Sequence, residues 1–420
     1  MAPHHTSGSP SVDESRLMAN VERLAGMTET GRPWTRLAFS GEHREARAWL
    51  AVAMRDLGMS TSIDAGGNLI GSVAGKCADL PPLSTGSHSD TVAAGGRFDG
   101  AAGLVAGLEV VAALRGSGVR LRHTFEVIDF LAEEPNQYGL SCVGSRAMTG
   151  QLTPDQLARR SADGSSLSDG IRWMGGDPDR LGQPLRVNGD VAAFVELHIE
   201  QGRVLESAGH DIGVVTGIAG IRRHLIVITG QADHAGATPM ELRRDALVAA
   251  SAIISRLDEL ARDRARWTGP LVATVGRLEI EPNAANVVPG RVSLVLEVRS
   301  LSDDSIEAFL REATRTVEAV TRERDLACVI DDLSASKAVL LDTRVRSAIA
   351  EAASGRGWST RDMPSGAGHD AANMARCGPA GMIFVPCRLG RSHCPEEWTE
   401  PDQLARGAQV LLDAVVSLDS

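Results

Sequence analysis

The chain has 420 residues, of which 43% are hydrophobic, a formal net charge of -11 at pH 7, and six cysteines. Its length exceeds the roughly 250–300 residues at which one hydrophobic core usually stops growing, so we expect two domains. Because it has no basic cluster, no apolar run of about 18 residues, no targeting pattern and no CxxC pair, we expect a cytoplasmic protein that binds neither nucleic acid nor membranes.

Hydrophobic spacing predicts an α/β fold in the first part of the chain. Leu17, Val21 and Leu24 recur at helical spacing, and a second helix is expected after Ser40. From Asn68 onward, short apolar strands alternate with Gly-rich turns and with a helix of small residues. This alternation indicates helices layered around a sheet.

A different pattern begins near residue 217. It contains about four predicted strands, at residues 223–229, 270–278, 292–301 and 326–331. Two long predicted helices lie between them, at residues 245–262 and 304–324. This order is typical of an α+β sandwich with one face of its sheet covered. The βα alternation then resumes, with a strand at 381–386 and a closing helix at 400–418.

The simplest interpretation of this order is an insertion. We predict a discontinuous catalytic domain made of residues 1–216 and 335–420. Residues 217–334 would form an inserted domain that serves as a lid or as a dimerisation domain.

Residue types that bind metals follow the first predicted strands. His88 ends a buried strand, Asp90 follows it, and Asp99 lies in the next loop before a helix. His88 offers a nitrogen ligand, Asp90 is spaced to orient that ring, and Asp99 is a carboxylate able to bridge two cations. A His-x-Asp sequence alone is more often structural.

Two adjacent acids strengthen the metal hypothesis. Glu133 and Glu134 follow a strand directly, and neighbouring side chains of an extended chain point in different directions. One acid could therefore ligate a metal while the other faces a water molecule, although a charged turn is a common alternative. His198 alternates with two acids on one strand face, and His393 lies in a loop after the strand at 381–386.

These segments together resemble the dinuclear-metal amidohydrolases that include N-carbamoyl-L-amino acid hydrolases, β-ureidopropionases and allantoate amidohydrolases. The resemblance runs from about Asn68 to Trp398. The matching motifs are Gly86-Ser-His-Ser-Asp-Thr-Val92, Gly96-Arg-Phe-Asp-Gly100, Gly144-Ser-Arg-Ala-Met148, Glu196-Leu-His-Ile-Glu-Gln-Gly202, Asp233-His-Ala-Gly-Ala-Thr-Pro239, Asn286-Val-Val-Pro-Gly290, Ser365-Gly-Ala-Gly-His-Asp370 and Arg391-Ser-His393.

The resemblance implies a zinc-aminopeptidase-like mixed sheet between helices and two divalent metal ions per chain. The metal would be zinc, with manganese, cobalt or nickel as alternatives. It implies the ligands, which are His88 and His198 on one ion, Glu134 and His393 on the other, and Asp99 between the two. Glu133 would be the general base that activates the bridging water.

It also implies residues that contact the substrate, and a homodimer that pairs through the inserted domain. His234, which by its loop position alone would be a solvated histidine, would reach the partner's active site and stabilise the oxyanion. Arg299, at a strand end, is suited to a bidentate grip on a substrate carboxylate. The remaining contacts would come from Gln201, Asn286, His369 and the backbone amides near Gly368.

The predicted activity is hydrolysis of the linear C–N bond of an N-carbamoyl-L-amino acid or a similar ureido acid. An N-acyl amino acid or dipeptide hydrolase on the same metals is the alternative. A binding or sensing protein would not need an unligated acid such as Glu133, and a phosphatase would need more basic residues than Arg299. Many relatives continue with Gly and an Arg-Phe pair where this chain has residues 135–138, so we expect the pocket for the substrate side chain or leaving group to differ from theirs.

Overall fold

The amphipathic spacing near the start of the chain produces two helices in the computed structural model, which describes residues 9–267 and 270–420. Helix α1, Glu14–Ala25, buries Leu17, Val21 and Leu24. Helix α2, Gly41–Asp56, begins after Ser40, whose side chain accepts a hydrogen bond from the backbone N–H of His43. Both predicted helices are therefore present, and the second has the expected cap.

The chain divides into two compact units. Unit 1 comprises Met1–Thr216, Leu341–Met363 and Gly368–Ser420. Unit 2 comprises Gly217–Leu340 and Pro364–Ala367.

Strands and short helices follow α2 in the first segment of unit 1. In chain order they are β1 Ser60–Ile63, β2 Leu69–Val73, β3 Leu83–His88, α3 Ala101–Ser117, β4 Phe125–Phe130, α4 Val143–Met148, α5 Pro154–Leu157, α6 Leu167–Trp173, β5 Ala193–Ile199, α7 Val204–Ala208 and β6 Ile212–Ile218. Helices α4 to α7 have four to seven residues each, which is too short for hydrophobic periodicity to predict.

Unit 2 contains long strands and two long helices. Its elements are β7 Gly220–Thr229, β8 Asp233–His234, α8 Ala246–Trp267, β9 Leu271–Glu281, β10 Val287–Val288, β11 Arg291–Ser300, α9 Asp303–Glu323, β12 Ala327–Ser336 and β13 Val339–Leu340. The last segments of the chain add α10 Thr343–Gly355, β14 Thr360–Ser365, α11 Ala371–Met374, β15 Ala380–Val385 and α12 Pro401–Leu418. Short 3-10 turns occur at Pro178–Arg180, Met240–Leu242 and Arg388–Gly390.

Unit 1 is built on a mixed sheet in which the strands run in the order β1-β2-β4-β3-β5-β15-β6. The inner strands β4, β3, β5 and β15 are parallel to one another, and the pairs towards both edges are antiparallel. Helices α3 and α12 pack on the sheet, and both also contact α1. Every residue of β3, β4, β5 and β15 is buried, as expected for parallel strands covered on both faces. The fold is therefore α/β, with a mixed sheet flanked by helices.

Unit 2 is an antiparallel sheet in the order β12-β7-β11-β9. Helices α8 and α9 pack on it and bury an apolar core that includes Ile253, Leu294 and Phe309. The strand predicted at 326–331 extends to Ser336. No helix in the described part of the chain is both long and apolar enough to cross a membrane.

Candidate metal centre and active site

The carboxyl ends of the four parallel strands meet at one edge of the sheet in unit 1. His88 is the last residue of β3, His198 is next to last in β5, and Glu133 and Glu134 follow β4 closely. The loop with His393 follows β15. In open α/β sheets, ligands bind outside the carboxyl ends of the strands, so the topology brings residues far apart in sequence to one site.

Asp99 lies at the centre of this site, and its two carboxylate oxygens face different partners. Its Oδ1 is 3.5 Å from Nε2 of His88 and 3.1 Å from Nε2 of His198. Its Oδ2 is 3.2 Å from Nε2 of His393, and that nitrogen is 3.3 Å from Oε1 of Glu134. The carboxylate thus joins two separate groups of metal-ligand atoms.

Each group could hold a metal ion, because its ligand atoms all lie within 4.8 Å of one another. The first group is His88, Asp99 and His198, and the second is Asp99, Glu134 and His393. The structure therefore brings the five expected ligands together in the division that the resemblance implied. Their role as ligands stays a prediction.

The orientation of the two buried rings suits a metal. Nδ1 of His88 lies 3.0 Å from the carbonyl oxygen of Asp90, and Nδ1 of His198 lies 2.8 Å from that of Ile199. A carbonyl only accepts, so each Nδ1 carries a proton and donates it. Nε2 of each ring, which faces Asp99, can then present a lone pair to a cation.

The electrostatics of the site also suit a cation. Oε1 of Glu134 is buried, and Nε2 of His393, 3.3 Å away, is the positively charged partner that it faces when that ring is protonated. Burial disfavours the charged form of His198, yet the carboxylate of Asp99 outweighs burial and raises the pKa of that ring. These residues therefore favour positive charge between them, and oxygen and imidazole donors fit divalent Zn, Mn, Co or Ni.

Glu133 lies beside this group and is itself buried. Its Oε2 is 3.7 Å from Nε2 of His88, and burial raises the pKa of its carboxyl well above the usual range. The backbone N–H groups of Glu133 and Glu134 donate to Oδ1 and Oδ2 of Asp90, at 3.2 and 3.1 Å. A carboxyl group with a raised pKa next to metal ligands is suited to accept and return a proton.

Asp90 differs in detail from the expectation that its side chain orients His88. Its carboxylate is 3.7 Å from Nδ1 of His88, whereas its backbone carbonyl makes the 3.0 Å hydrogen bond. The carboxylate instead holds the backbone of the two adjacent acids, because both of its oxygens are taken by their N–H groups.

Three of the predicted substrate contacts lie in unit 1. Nε2 of Gln201 donates to Oδ2 of Asp99 at 2.7 Å. The buried ring of His369 packs edge-on against His198, with centroids 4.6 Å apart, and burial lowers its pKa well below the usual range. Gly368, next to it, is exposed. Gln201 and His369 therefore border the two metal-ligand groups, whereas no contact of the exposed Gly368 indicates a role.

The other predicted residues belong to unit 2. Nδ1 of the exposed His234 accepts from the backbone N–H groups of Gly236 and Ala237, so in a neutral ring Nε2 carries the proton and can donate. The carbonyl of Asn286 accepts from the N–H of Ala235 at 2.9 Å, which brings the loops of His234 and Asn286 together.

Arg299, also in unit 2, does not have a free guanidinium. Its Nη2 is 2.7 Å from Oε1 of Glu297, and its Nη1 donates to the carbonyl of Gly366 at 2.5 Å. Its side chain nevertheless remains 26% exposed.

Sequence reasoning missed two residues that contact this site. The thiol of Cys142 donates to Oε1 of Glu133, and the buried carboxylate of Glu397 accepts from the backbone of Asp99. Their positions next to the motifs at 144–148 and 391–393 were the available signal.

The loop at 135–138, where the chain departs from many relatives, buries Tyr138 edge-on against Phe39, with ring centroids 5.3 Å apart.

The sequence matches the model of peptidase family M20/M25/M40 over residues 80–417. It is 42% identical to an N-carbamoyl-L-amino acid amidohydrolase of Geobacillus stearothermophilus, over 94% of this chain and 97% of that protein. It is 36% identical to an allantoate amidohydrolase of Bacillus subtilis, over 91% of this chain and 92% of that protein.

The fold is similar to the crystal structure of an amidase of the hydantoinase/carbamoylase family from Burkholderia multivorans. The TM-score is 0.91 at 35% sequence identity, with 98% of this chain and 99% of that chain covered. The similarity therefore extends over both units of the chain.

Proposed function

This chain belongs to peptidase family M20/M25/M40, and we propose that it hydrolyses the linear C–N bond of an N-carbamoyl-L-amino acid or a similar ureido acid. One water is consumed for each carbamoyl substrate, and the products are the free amino acid, ammonia and carbon dioxide. Support comes from relatives named as N-carbamoyl-L-amino acid amidohydrolases that match nearly the whole chain.

The observation that carries the proposal is the position of Asp99 between two sets of ligand atoms. One carboxylate oxygen faces His88 and His198, and the other faces His393 beside Glu134. A carboxylate in this position is suited to bridge two cations. When bound, the two divalent ions would supply Lewis-acid polarisation of the scissile carbonyl and an activated water. Zinc is the proposed metal, since imidazole and carboxylate are common zinc ligands, with manganese, cobalt and nickel as alternatives.

Glu133 is proposed as the general base and then the general acid. It takes a proton from the attacking water and delivers it to the leaving nitrogen of the substrate. Its burial supports this role, because burial raises the pKa of the carboxyl and so favours its taking up a proton. Asp90 fixes the backbone at Glu133 and Glu134, because both of its carboxylate oxygens accept from their N–H groups.

The substrate contacts are proposed to come from both units. His369 stays neutral and packs on His198, and Gln201 lies on Asp99, so both border the reacting carbonyl. Arg299 would bind the substrate carboxylate with the exposed part of its guanidinium, and Asn286 and the backbone near Gly368 would add hydrogen bonds. His234 would stabilise the oxyanion, and the donor character of its Nε2 supports that role.

We infer a catalytic domain of residues 1–216 with 335–420 and an inserted domain of residues 217–334 that serves as lid and dimerisation domain. The contacts of the chain group 335–340 and 364–367 with the inserted domain, so its boundary falls slightly later than this division. Its sheet ends in two edge strands, β9 and β12, that carry exposed apolar side chains, namely Val272, Leu278, Val329 and Leu333. Exposed edge strands with apolar residues are suited to pair with a second copy. The cytoplasmic location expected from the cysteine pattern stays a prediction.

A substrate panel tests the proposal. Purified full-length protein, supplied with Zn²⁺, Mn²⁺, Co²⁺ or Ni²⁺ in turn, is assayed with N-carbamoyl, N-acetyl and dipeptide forms of the same L-amino acids. We expect equal amounts of ammonia and free amine from the carbamoyl substrates. Amine without ammonia, released only from acetyl or dipeptide substrates, would replace the proposal with the N-acyl amino acid or dipeptide hydrolase that is the alternative.

A further inference from the structure

Glu397 is a fully buried carboxylate that lies on the loop of Asp99, although the two residues are 298 positions apart in sequence. Its Oε1 accepts hydrogen bonds from the backbone N–H groups of Phe98 at 2.8 Å and of Asp99 at 3.0 Å. The carboxylate belongs to neither group of ligand atoms. It instead holds the backbone at Asp99, which is a proposed ligand.

The second oxygen of Glu397 reaches the loop of His393. The hydroxyl of Ser392 lies 2.9 Å from Oε2 of Glu397 and 2.8 Å from Oδ2 of Asp99. Ser392 directly precedes His393 in the chain. Glu397 and Ser392 therefore connect the loop of His393 to Asp99, whose carboxylate faces both ligand groups.

Glycine at position 96 leaves the room that this carboxylate occupies. A Cβ atom added at Gly96 would lie 1.8 Å from Oε1 of Glu397, which is far inside van der Waals contact. Next to it, the guanidinium of Arg97 lies 4.3 Å from the ring centre of Trp34 and 5.3 Å from that of Trp398. Both loops are thus packed together around Glu397.

The two ligand groups are held to different degrees by the rest of the fold. His88 and His198 lie within paired strands and are 1% exposed. His393 lies in a loop, has a side chain that is 46% exposed, and has a backbone φ of 56°. The position of His393 against Asp99 therefore depends on contacts made by its loop.

We propose that Glu397 is a positioning residue that fixes His393 against Asp99, so that the Asp99–Glu134–His393 metal group depends on it more than the His88–Asp99–His198 group does. The inference rests on the proposed function, because it presumes that both groups bind metal. Removing a group that orients a metal ligand typically weakens metal affinity about 10–100-fold. We expect that loss at one of the two ions.

The test is a Zn²⁺ titration of the full-length protein after chelation, followed by calorimetry and elemental analysis. Glu397→Ala should weaken the binding of one ion by about 10–100-fold and leave the other within about threefold of wild type. Glu397→Gln keeps an oxygen for the two backbone N–H groups and an amide for Ser392, so it should retain most of the lost affinity. Glu396→Ala is the matched control, since this neighbouring acid is exposed and pairs only with Arg391 at 3.0 Å.

Gly96→Ala gives an independent measurement that leaves the carboxylate in the protein. Its added Cβ must displace Glu397, so this variant should weaken the same ion as Glu397→Ala does. Circular dichroism and thermal unfolding identify variants that fail to fold, and if Glu397→Ala is one of them, Gly96→Ala decides the matter.

The outcomes separate this inference from the proposed function. If the wild type binds fewer than two ions, the dinuclear centre itself is wrong. If the wild type binds two ions and folded Glu397→Ala and Gly96→Ala bind both with unchanged affinity, only the role of Glu397 is wrong. Equal weakening of both ions in the folded variants would also contradict it, because the effect would then not be specific to the group of His393.

Discussion

The thiol of Cys142 donates a hydrogen bond to the carboxylate of Glu133, with Sγ 3.2 Å from Oε1. The backbone N–H of Cys142 also donates to the carbonyl oxygen of Glu133, at 2.8 Å. The other carboxylate oxygen, Oε2, is the one 3.7 Å from the ring of His88. The thiol thus occupies one oxygen of the proposed base and leaves the second oxygen towards the metal-ligand residues.

Cys142→Ala should lower kcat by roughly threefold to tenfold, since one net hydrogen bond contributes about 0.5–1.5 kcal/mol. The metal content should not change, because the thiol is in neither ligand group. Cys142→Ser keeps a donor and should recover most of the loss. Steady-state kinetics measure the effect, and Cys377→Ala is the control, since that buried thiol contacts only the carbonyl of Arg186. A kcat equal to wild type in Cys142→Ala would mean that the contact has no part in catalysis.

Glu133→Gln should retain the fold and both metal ions but lose turnover by about 10²–10⁴-fold, because an amide preserves the shape of the carboxylate without accepting a proton. Elemental analysis and kinetics on the same preparation measure the two properties together. Near-normal kcat at full metal content would show that another group acts as the base.

Removal of single ligands should have unequal effects on metal content. Asp99→Ala should disturb both ions, because Asp99 belongs to both ligand groups, whereas His88→Ala should chiefly affect one. His123→Ala is a matched control, since the ring of this nearly buried histidine is engaged with the carbonyl of Pro81 and is in neither group. The prediction fails if Asp99→Ala loses no more metal than His88→Ala does.

A mixing experiment tests the proposed role of His234 in a partner subunit. Glu133→Gln and His234→Ala protomers are each expected to be inactive, but a heterodimer of the two has one site with both groups intact. With random exchange, up to about half of the molecules are heterodimers. We therefore expect activity to reappear on mixing. If mass spectrometry shows exchanged subunits and activity stays at the level of the separate variants, His234 acts in its own chain or not at all.

The long helices and inner strands could be predicted from the sequence because their signals are local. The cap at Ser40, the periodic burial in α1 and the apolar runs of β4 and β15 each depend on residues within a few positions of one another. The short helices α4 to α6 gave no such signal, since none has more than seven residues, which is too few for hydrophobic residues to recur at helical spacing.

The sequence by itself also determined which residue types stand at the strand ends, because histidine and acid directly after apolar runs are visible in the chain. It did not determine that Oδ1 of Asp99 would face two histidines and Oδ2 a third. Nor did it determine that Cys142 would contact Glu133, or that Glu397 would hold the backbone of Asp99. Those contacts depend on the strand order β4-β3-β5-β15, which brings the loops after the strands together. Only tertiary packing decides that order, since hydrophobic periodicity records which face of a strand is buried and not which strand lies beside it.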